Sequence, residues 1–119
     1  EPLSGYLMLA QTLAEPQYRG FVGSCNFGPD DRSQSVEWLV REYEKCSKLG
    51  CEYYYCEDAV KEARTLNLAN SKSKKTLGWC PKWKASDAIR LTADWYDAWR
   101  SGAEMRDFTG AQIIEYSNE

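Results

Sequence analysis

The stretch S-K-S-K-K-T-L-G-W-C-P-K-W-K, residues 71–84, sets five lysines and two tryptophans into fourteen positions. Basic residues interleaved with aromatic ones suit a surface that neutralises phosphates and stacks bases. The same residues also read as ordinary architecture. Ser71 can cap a short helix over residues 72–77, and Gly78 can end it in the left-handed region. Trp79 and Trp83 then flank Pro81 in a rigid turn that buries their rings against neighbouring elements. On this reading Lys72, Lys74, Lys75, Lys82 and Lys84 form the solvated outer face of the unit.

Composition favours architecture over nucleic acid. The chain has 119 residues, 43% of them hydrophobic, and a formal net charge of −3. That is room for one domain, residues 1–119, with a modest core and no overall attraction for a polyanion. No apolar run reaches the ~18 residues of a membrane span, and no signal-peptide pattern is present. The expectation is a soluble, cytoplasmic domain with neither a nucleic-acid nor a membrane partner. The chain begins Glu-Pro without an initiator methionine, which reads as a piece of something longer.

The five cysteines are Cys25, Cys46, Cys51, Cys56 and Cys80. An odd number without a secretory signal argues for reduced thiols. Cys46, Cys51 and Cys56 recur every five residues, whereas structural zinc sites show tight cysteine pairs. The chain also has no histidine. No metal site is therefore expected, and triads built on a histidine base are excluded.

Outward from the opening stretch, the spacing of Leu3, Tyr6, Leu7, Ala10, Leu13 and Ala14 predicts a helix stopped by Pro16, its apolar stripe facing a core. Alternation in F-V-G-S-C-N-F (21–27) predicts a short strand, closed by a turn at Gly28-Pro29-Asp30-Asp31. Ser35 caps a second helix running to about Lys48, with Glu37 in its first turn and Gly50 as its stop. E-Y-Y-Y-C (52–56) and T-L-N-L-A (65–69) carry strand-forming residue types. Beyond Lys84, Ser86 caps a broadly buried helix through Trp99 that stops at Gly102. The tail packs a last helical turn or two. The fold class expected is mixed α/β, a helix-rich lobe with a few short strands and no complete Rossmann domain.

Catalytic machinery is missing. Gly20-x-x-Gly23 has Asn26 where a dinucleotide loop needs its third glycine, and no strand precedes it. No G-x-x-x-x-G-K-[ST] phosphate loop exists. None of the eight tyrosines has lysine four positions on; Tyr96 reaches only Arg100. The pairs Asp30-Asp31 and Glu57-Asp58 read as solvated loop charges. The residues describe a binding domain, not a self-sufficient catalyst.

Several motifs occur in a telling order: E-P-L-S-G-Y-L (1–7), N-F-G-P (26–29), V-E-W-L-V (36–40), E-A-x-x-L-x-L (62–68), S-K-x-K-x-x-L-G-W-x-P-x-W (71–83), D-W-Y-D-A-W (94–99), M-R-D-F-T (105–109) and Q-I (112–113). Together they resemble the C-terminal part of the CDP-glucose 4,6-dehydratase family, extended short-chain dehydrogenase/reductases. The S-K-x-K-x-x-L-G-W unit alone points only to nucleotide-sugar-modifying relatives in general.

The resemblance implies an enzyme that uses NAD to oxidise a CDP-sugar at C4, eliminates water across C5 and C6, and returns the hydride to C6. Such products feed deoxysugars of bacterial surface polysaccharides. It places the dinucleotide loop and the catalytic Tyr-x-x-x-Lys pair upstream, so this chain is expected to hold no cofactor and no catalytic residue. What remains is the substrate-binding lobe, inactive alone. Arg64 is expected at the nucleotide diphosphate, since a guanidinium matches phosphate geometry. Glu62 and Asn26 are expected polar contacts. Two positions depart from the family pattern: Lys61 stands where histidine is commoner, and Ala69 where an aspartate usually follows L-x-L.

Two other readings stay open on the residues alone. One is a free-standing carbohydrate- or nucleotide-binding module stacking its ligand on Tyr53–Tyr55, Trp79 and Trp83. The other is nucleic-acid binding through Lys72–Lys84. Separately, apolar surface that a cofactor half would cover is expected to drive self-association through the Leu3–Ala14 helix.

Overall fold

The computed structural model describes residues 1–18, 23–31, 33–54 and 68–119. Five helices and a short 3-10 turn make up its regular structure: α1 (Pro2–Ala14), the turn Pro16–Tyr18, α2 (Val36–Cys46), α3 (Ser71–Leu77), α4 (Ala85–Arg100) and α5 (Met105–Asn118). Among the described residues there is no strand. The mixed α/β expectation is thereby corrected to an all-helical one. Strand-like residue types are not enough, because a strand needs a neighbour to complete its hydrogen bonds. The described part of the first predicted strand, residues 23–27, finds side chains of α3 instead: the Asn26 carbonyl accepts from the Ser73 hydroxyl. Residues 52–54 and 68–69 are likewise irregular, and the remainder of those two predicted strands lies outside the described residues.

The chain divides into two compact units, Glu1–Asp31 with Leu66–Lys84, and Arg32–Thr65 with Ala85–Glu119. In the first, Pro2 sits at the start of α1, where a missing N–H costs nothing. Glu15 is extended ahead of Pro16, as a residue before proline must be. The core is aromatic. Phe27 meets Tyr6 at 5.3 Å and Trp79 at 5.1 Å between ring centroids, both edge-to-face. Trp79 is only 2% exposed, and its indole N–H donates to Ser4 Oγ at 2.9 Å. The Glu1 carboxylate accepts from the backbone N–H groups of Lys82 and Trp83. The N-terminus of α1 and the turn after α3 are thus joined by polar bonds around a buried indole.

The contact depends on Gly5, the one buried residue of α1. A methyl group there would stand 2.2 Å from Phe27 Cδ1. The expected apolar stripe of α1 does not face a core within the described structure, with Leu3 and Leu7 each 72% exposed. Gly5 brings backbone against the ring, with Tyr6 at its edge, and Leu3 and Leu7 are left outside. The start of α3 is also displaced from expectation. Asn70 takes the N-cap position and Ser71 is already helical, while Gly78 closes the helix at φ +69° as expected.

In the second unit Ser35 caps α2 as expected, its Oγ accepting from the Trp38 N–H. Glu37 and Lys45 lie at the helix ends their charges favour. Helix α4 starts two residues earlier than expected, leaving Ser86 within its first turn, and α5 is a full 14-residue helix. The Trp95 indole N–H donates to Thr109 Oγ1, and the Gln112 amide to the Leu91 carbonyl, which ties α5 to α4. Leu91 and Ala93 are buried, while Tyr96 and Trp99 are exposed, so α4 is less broadly covered than its two apolar stripes suggest.

The buried charge on α4 is Asp97. Its carboxylate accepts from the Ser47 hydroxyl at 2.8 Å and from the Lys48 N–H at 2.5 Å. Burial opposes its ionisation, yet the N–H of Lys48, the Ser47 hydroxyl, the N–H of Leu49 and the charge of Arg100 outweigh that and hold it below the ordinary carboxylate range. One side chain therefore secures the chain where it leaves α2. Nearby, burial and the charge of Asp97 raise the Tyr43 phenol.

Three predictions follow from this packing. Gly5→Ala should cost about 1–3 kcal/mol through overpacking against Phe27. Gly110, inside α5 with open space around its Cα, should tolerate alanine and gain about 0.5–1 kcal/mol; urea unfolding of the two variants checks both signs. Asp97 is depressed in the folded state, so its contribution is present above the unfolded-state pKa and is lost as pH falls through the folded one. The stability advantage of the wild type over Asp97→Asn should therefore be full at neutral pH and shrink below about pH 4, measured as the gap between their urea midpoints across a pH series.

Candidate functional site

Of the three residues expected to touch a ligand, Arg64 and Glu62 lie outside the described residues, as does the Lys61 departure. Asn26 lies in the first unit, exposed, at the start of the N-F-G-P turn. The local chemistry explains how that turn is held. Phe27 is driven into the aromatic core, while Gly28 is buried against Leu68, whose Cβ would stand 3.1 Å from an added methyl. Asn26, just before Phe27, is left exposed.

The first turn of α3 satisfies the backbone of this segment. The Ser73 hydroxyl, fully buried, lies 2.8 Å from the Asn26 carbonyl and 2.7 Å from that of Asn70, with one proton to give between them. The Asn70 amide donates to the Gly28 carbonyl at 3.1 Å and to Asp30 Oδ1 at 2.8 Å. Lys74 Nζ reaches both carboxylate oxygens of Asp30, at 2.6 and 2.5 Å. The hydrogen bonds from Lys74 and Asn70 hold the Asp30 carboxyl below its ordinary range. Asn26 Nδ2 donates to the Ala69 carbonyl at 3.3 Å. Its Oδ1 accepts no hydrogen bond among the described contacts, so Asn26 can offer a ligand an acceptor and its second amide proton.

Asn70, Ser73 and Lys74 were not among the expected site residues. Ser73 and Lys74 belong to the lysine-rich stretch and Asn70 immediately precedes it, and the reading as a capped helix accounts for the helix but not for what these side chains hold. The signal was a local one. An asparagine and a serine three residues apart at a helix start can each serve either the helix or a neighbouring loop.

The aromatic alternatives separate. Trp79 is buried and cannot stack on a ligand, while Trp83 is half-buried. Tyr53 and Tyr54 are exposed, the latter 88%, and Tyr55 lies outside the described residues. The second unit carries a groove of about 620 Å³ with Leu91, Ala98 and Phe108 in its lining. Its charged groups serve one another: Arg90 pairs with Asp94 and Glu115, and Asp97 is held by the backbone after α2. Among the described residues no group of three metal-ligating side chains comes together, and no helix is long and apolar enough to cross a membrane.

Comparison with known proteins addresses the resemblance directly. No protein-family model matches the chain. A curated relative does: the CDP-glucose 4,6-dehydratase of Salmonella typhimurium is 33% identical over 120 residues, a match covering 98% of this chain and 33% of that enzyme. The chain therefore spans about one third of the length of the relative it matches. The likeness carried by the quoted motifs is thus a similarity over nearly the whole chain, and this protein resembles one third of a CDP-glucose 4,6-dehydratase.

Proposed function

We propose that this chain is the substrate-binding part, the C-terminal third, of a nucleotide-sugar dehydratase acting on CDP-glucose. The supporting observation is the 33% identity over 98% of its residues. In this reading the chain grips the CDP-sugar, and NAD held by the remainder of the enzyme would supply the hydride chemistry at C4 and C6. Among the described residues no helix opens on a glycine-rich turn, the usual cradle of a dinucleotide pyrophosphate. The part read for this chain is accordingly the grip on the CDP-sugar. The polar contacts proposed for the substrate are Asn26, Glu62 and Arg64. The chain alone has no turnover, and the setting is the bacterial cytoplasm.

Self-association is part of the same proposal. Helix α1 has no charged residue from Pro2 to Ala14, and Leu3, Tyr6, Leu7 and Leu13 are exposed on it. A helix apolar on most sides is stable in water only when covered, and a second copy presenting the same apolar helix is the proposed cover.

The ligand reading is tested by titrating CDP into the chain and following backbone amides by NMR. Weak binding is expected, with a Kd on the order of 1 mM, shifts at residues 26–31 and at Arg64, and a loss of response in Arg64→Ala. Submicromolar affinity for a glycan or an RNA, the latter collapsing with salt, would replace this reading by a free-standing binding module or a nucleic-acid protein. Turnover of CDP-glucose by the chain alone would also sink it. For the association, light scattering should show a concentration-dependent dimer that Leu3→Glu with Leu7→Glu converts to monomer. A wild-type chain monomeric at high concentration rules that surface out.

A further inference from the structure

We propose that Asn70 is a positioning residue, which holds the N-F-G-P turn so that Asn26 faces the nucleotide; this rests on the function proposed above. Asn70 occupies the N-cap position of α3, yet its side chain makes no capping hydrogen bond to the helix. An N-cap asparagine ordinarily accepts from the second or third N–H of its helix. Here both protons of its amide go outward instead, to the Gly28 carbonyl and to Asp30 Oδ1. The bonds cross forty-two and forty residues of sequence.

The choice of residue type is informative. Serine, threonine and aspartate cap helices as well as asparagine does, but none can donate two protons from one side chain. Two donors matter because, among the described residues, the segment 26–30 has no strand beside it to donate to its carbonyls. Ser73 serves Asn26 and Asn70 serves Gly28, the carbonyls on either side of Phe27. The neighbouring Lys74–Asp30 ion pair is partly exposed on both sides, and salt screens such a pair. The neutral bond from Asn70 to Gly28 does not fade in that way. Asn70 therefore supplies the hold that persists at physiological salt, while the ion pair adds to it at low salt.

Two variants separate positioning from a helix-end role. Asn70→Asp keeps a good capping residue and removes both donors, whereas Asn70→Ala removes cap and donors together. Amide hydrogen exchange at Phe27, Gly28 and Asp30 should quicken roughly five- to tenfold in both variants, with α4 amides as the internal reference. Trp79 emission and helix content should stay as in the wild type for Asn70→Asp. In the same variant the CDP-induced shift at Asn26 should vanish at CDP concentrations that produce it in the wild type. Unchanged exchange and an unchanged CDP response in Asn70→Asp would overturn the proposal and leave the substrate-lobe reading standing. Quickened exchange with an unchanged CDP response would confine Asn70 to structure and overturn its positioning role. A wild-type chain with no CDP response at residues 26–31 would instead refute the substrate reading at this turn, and the proposal with it.

Discussion

Phe27 lies against Gly5, edge-on to Tyr6 and to Trp79, and much of the first unit follows from that one contact. The ring takes the space that any other residue at position 5 would fill. Its burial carries the N-F-G-P turn into the core at one residue and leaves Asn26 at the surface beside it. Trp79 closes the other side, and its indole N–H would be an orphan donor without Ser4. Sequence positions 4, 5, 27 and 79 are thus coupled by shape and by one hydrogen bond. The lysine-rich helix follows in consequence, with Ser73 buried and its lysines at the rim.

The second unit is organised around a charge. Asp97 is buried on α4 with its oxygens filled by a hydroxyl and backbone N–H groups after α2. A buried carboxylate is costly to desolvate, and it is tolerated where donors are arranged to meet it. Those donors belong to residues that have left the helix and have no intrahelical partner to bond. The arrangement resembles the role of Asn70 in the first unit: a polar side chain on a helix supplies what an irregular segment lacks. In neither unit is a β-ladder available among the described residues to do the same.

This use of side chains bears on the function proposed. A lobe that closes on a nucleotide must present loop groups in defined positions, and loops hold position only when their backbone polar groups are satisfied. The turn at 26–30 meets that requirement from within its own unit. Similarity to one third of a CDP-glucose 4,6-dehydratase then gives the turn a chemical context that its geometry alone does not supply. The buried indole of Trp79 removes the aromatic-platform reading at that position, and with it part of the case for a free-standing carbohydrate module.

The helices were legible in the residues themselves. Ser35 before Val36, Pro16 after Ala14, and glycines at 78 and 102 mark boundaries through caps and backbone freedom, which are local properties of the chain, whereas the second helix ends at Cys46 on an extended Ser47, short of the expected stop at Gly50. The family likeness was legible too, because ordered motifs survive without coordinates. Asn26 was found through that likeness, whereas its supports at Asn70, Ser73 and Lys74 were not. The strands expected at 21–27, 52–56 and 65–69 failed over their described residues for a related reason. Whether a segment becomes a strand, which of two apolar stripes is covered, and whether an asparagine serves its helix or a distant loop are settled by partners more than forty residues away. Local chemistry sets what each residue can offer, and only the packed chain decides which offer is taken up.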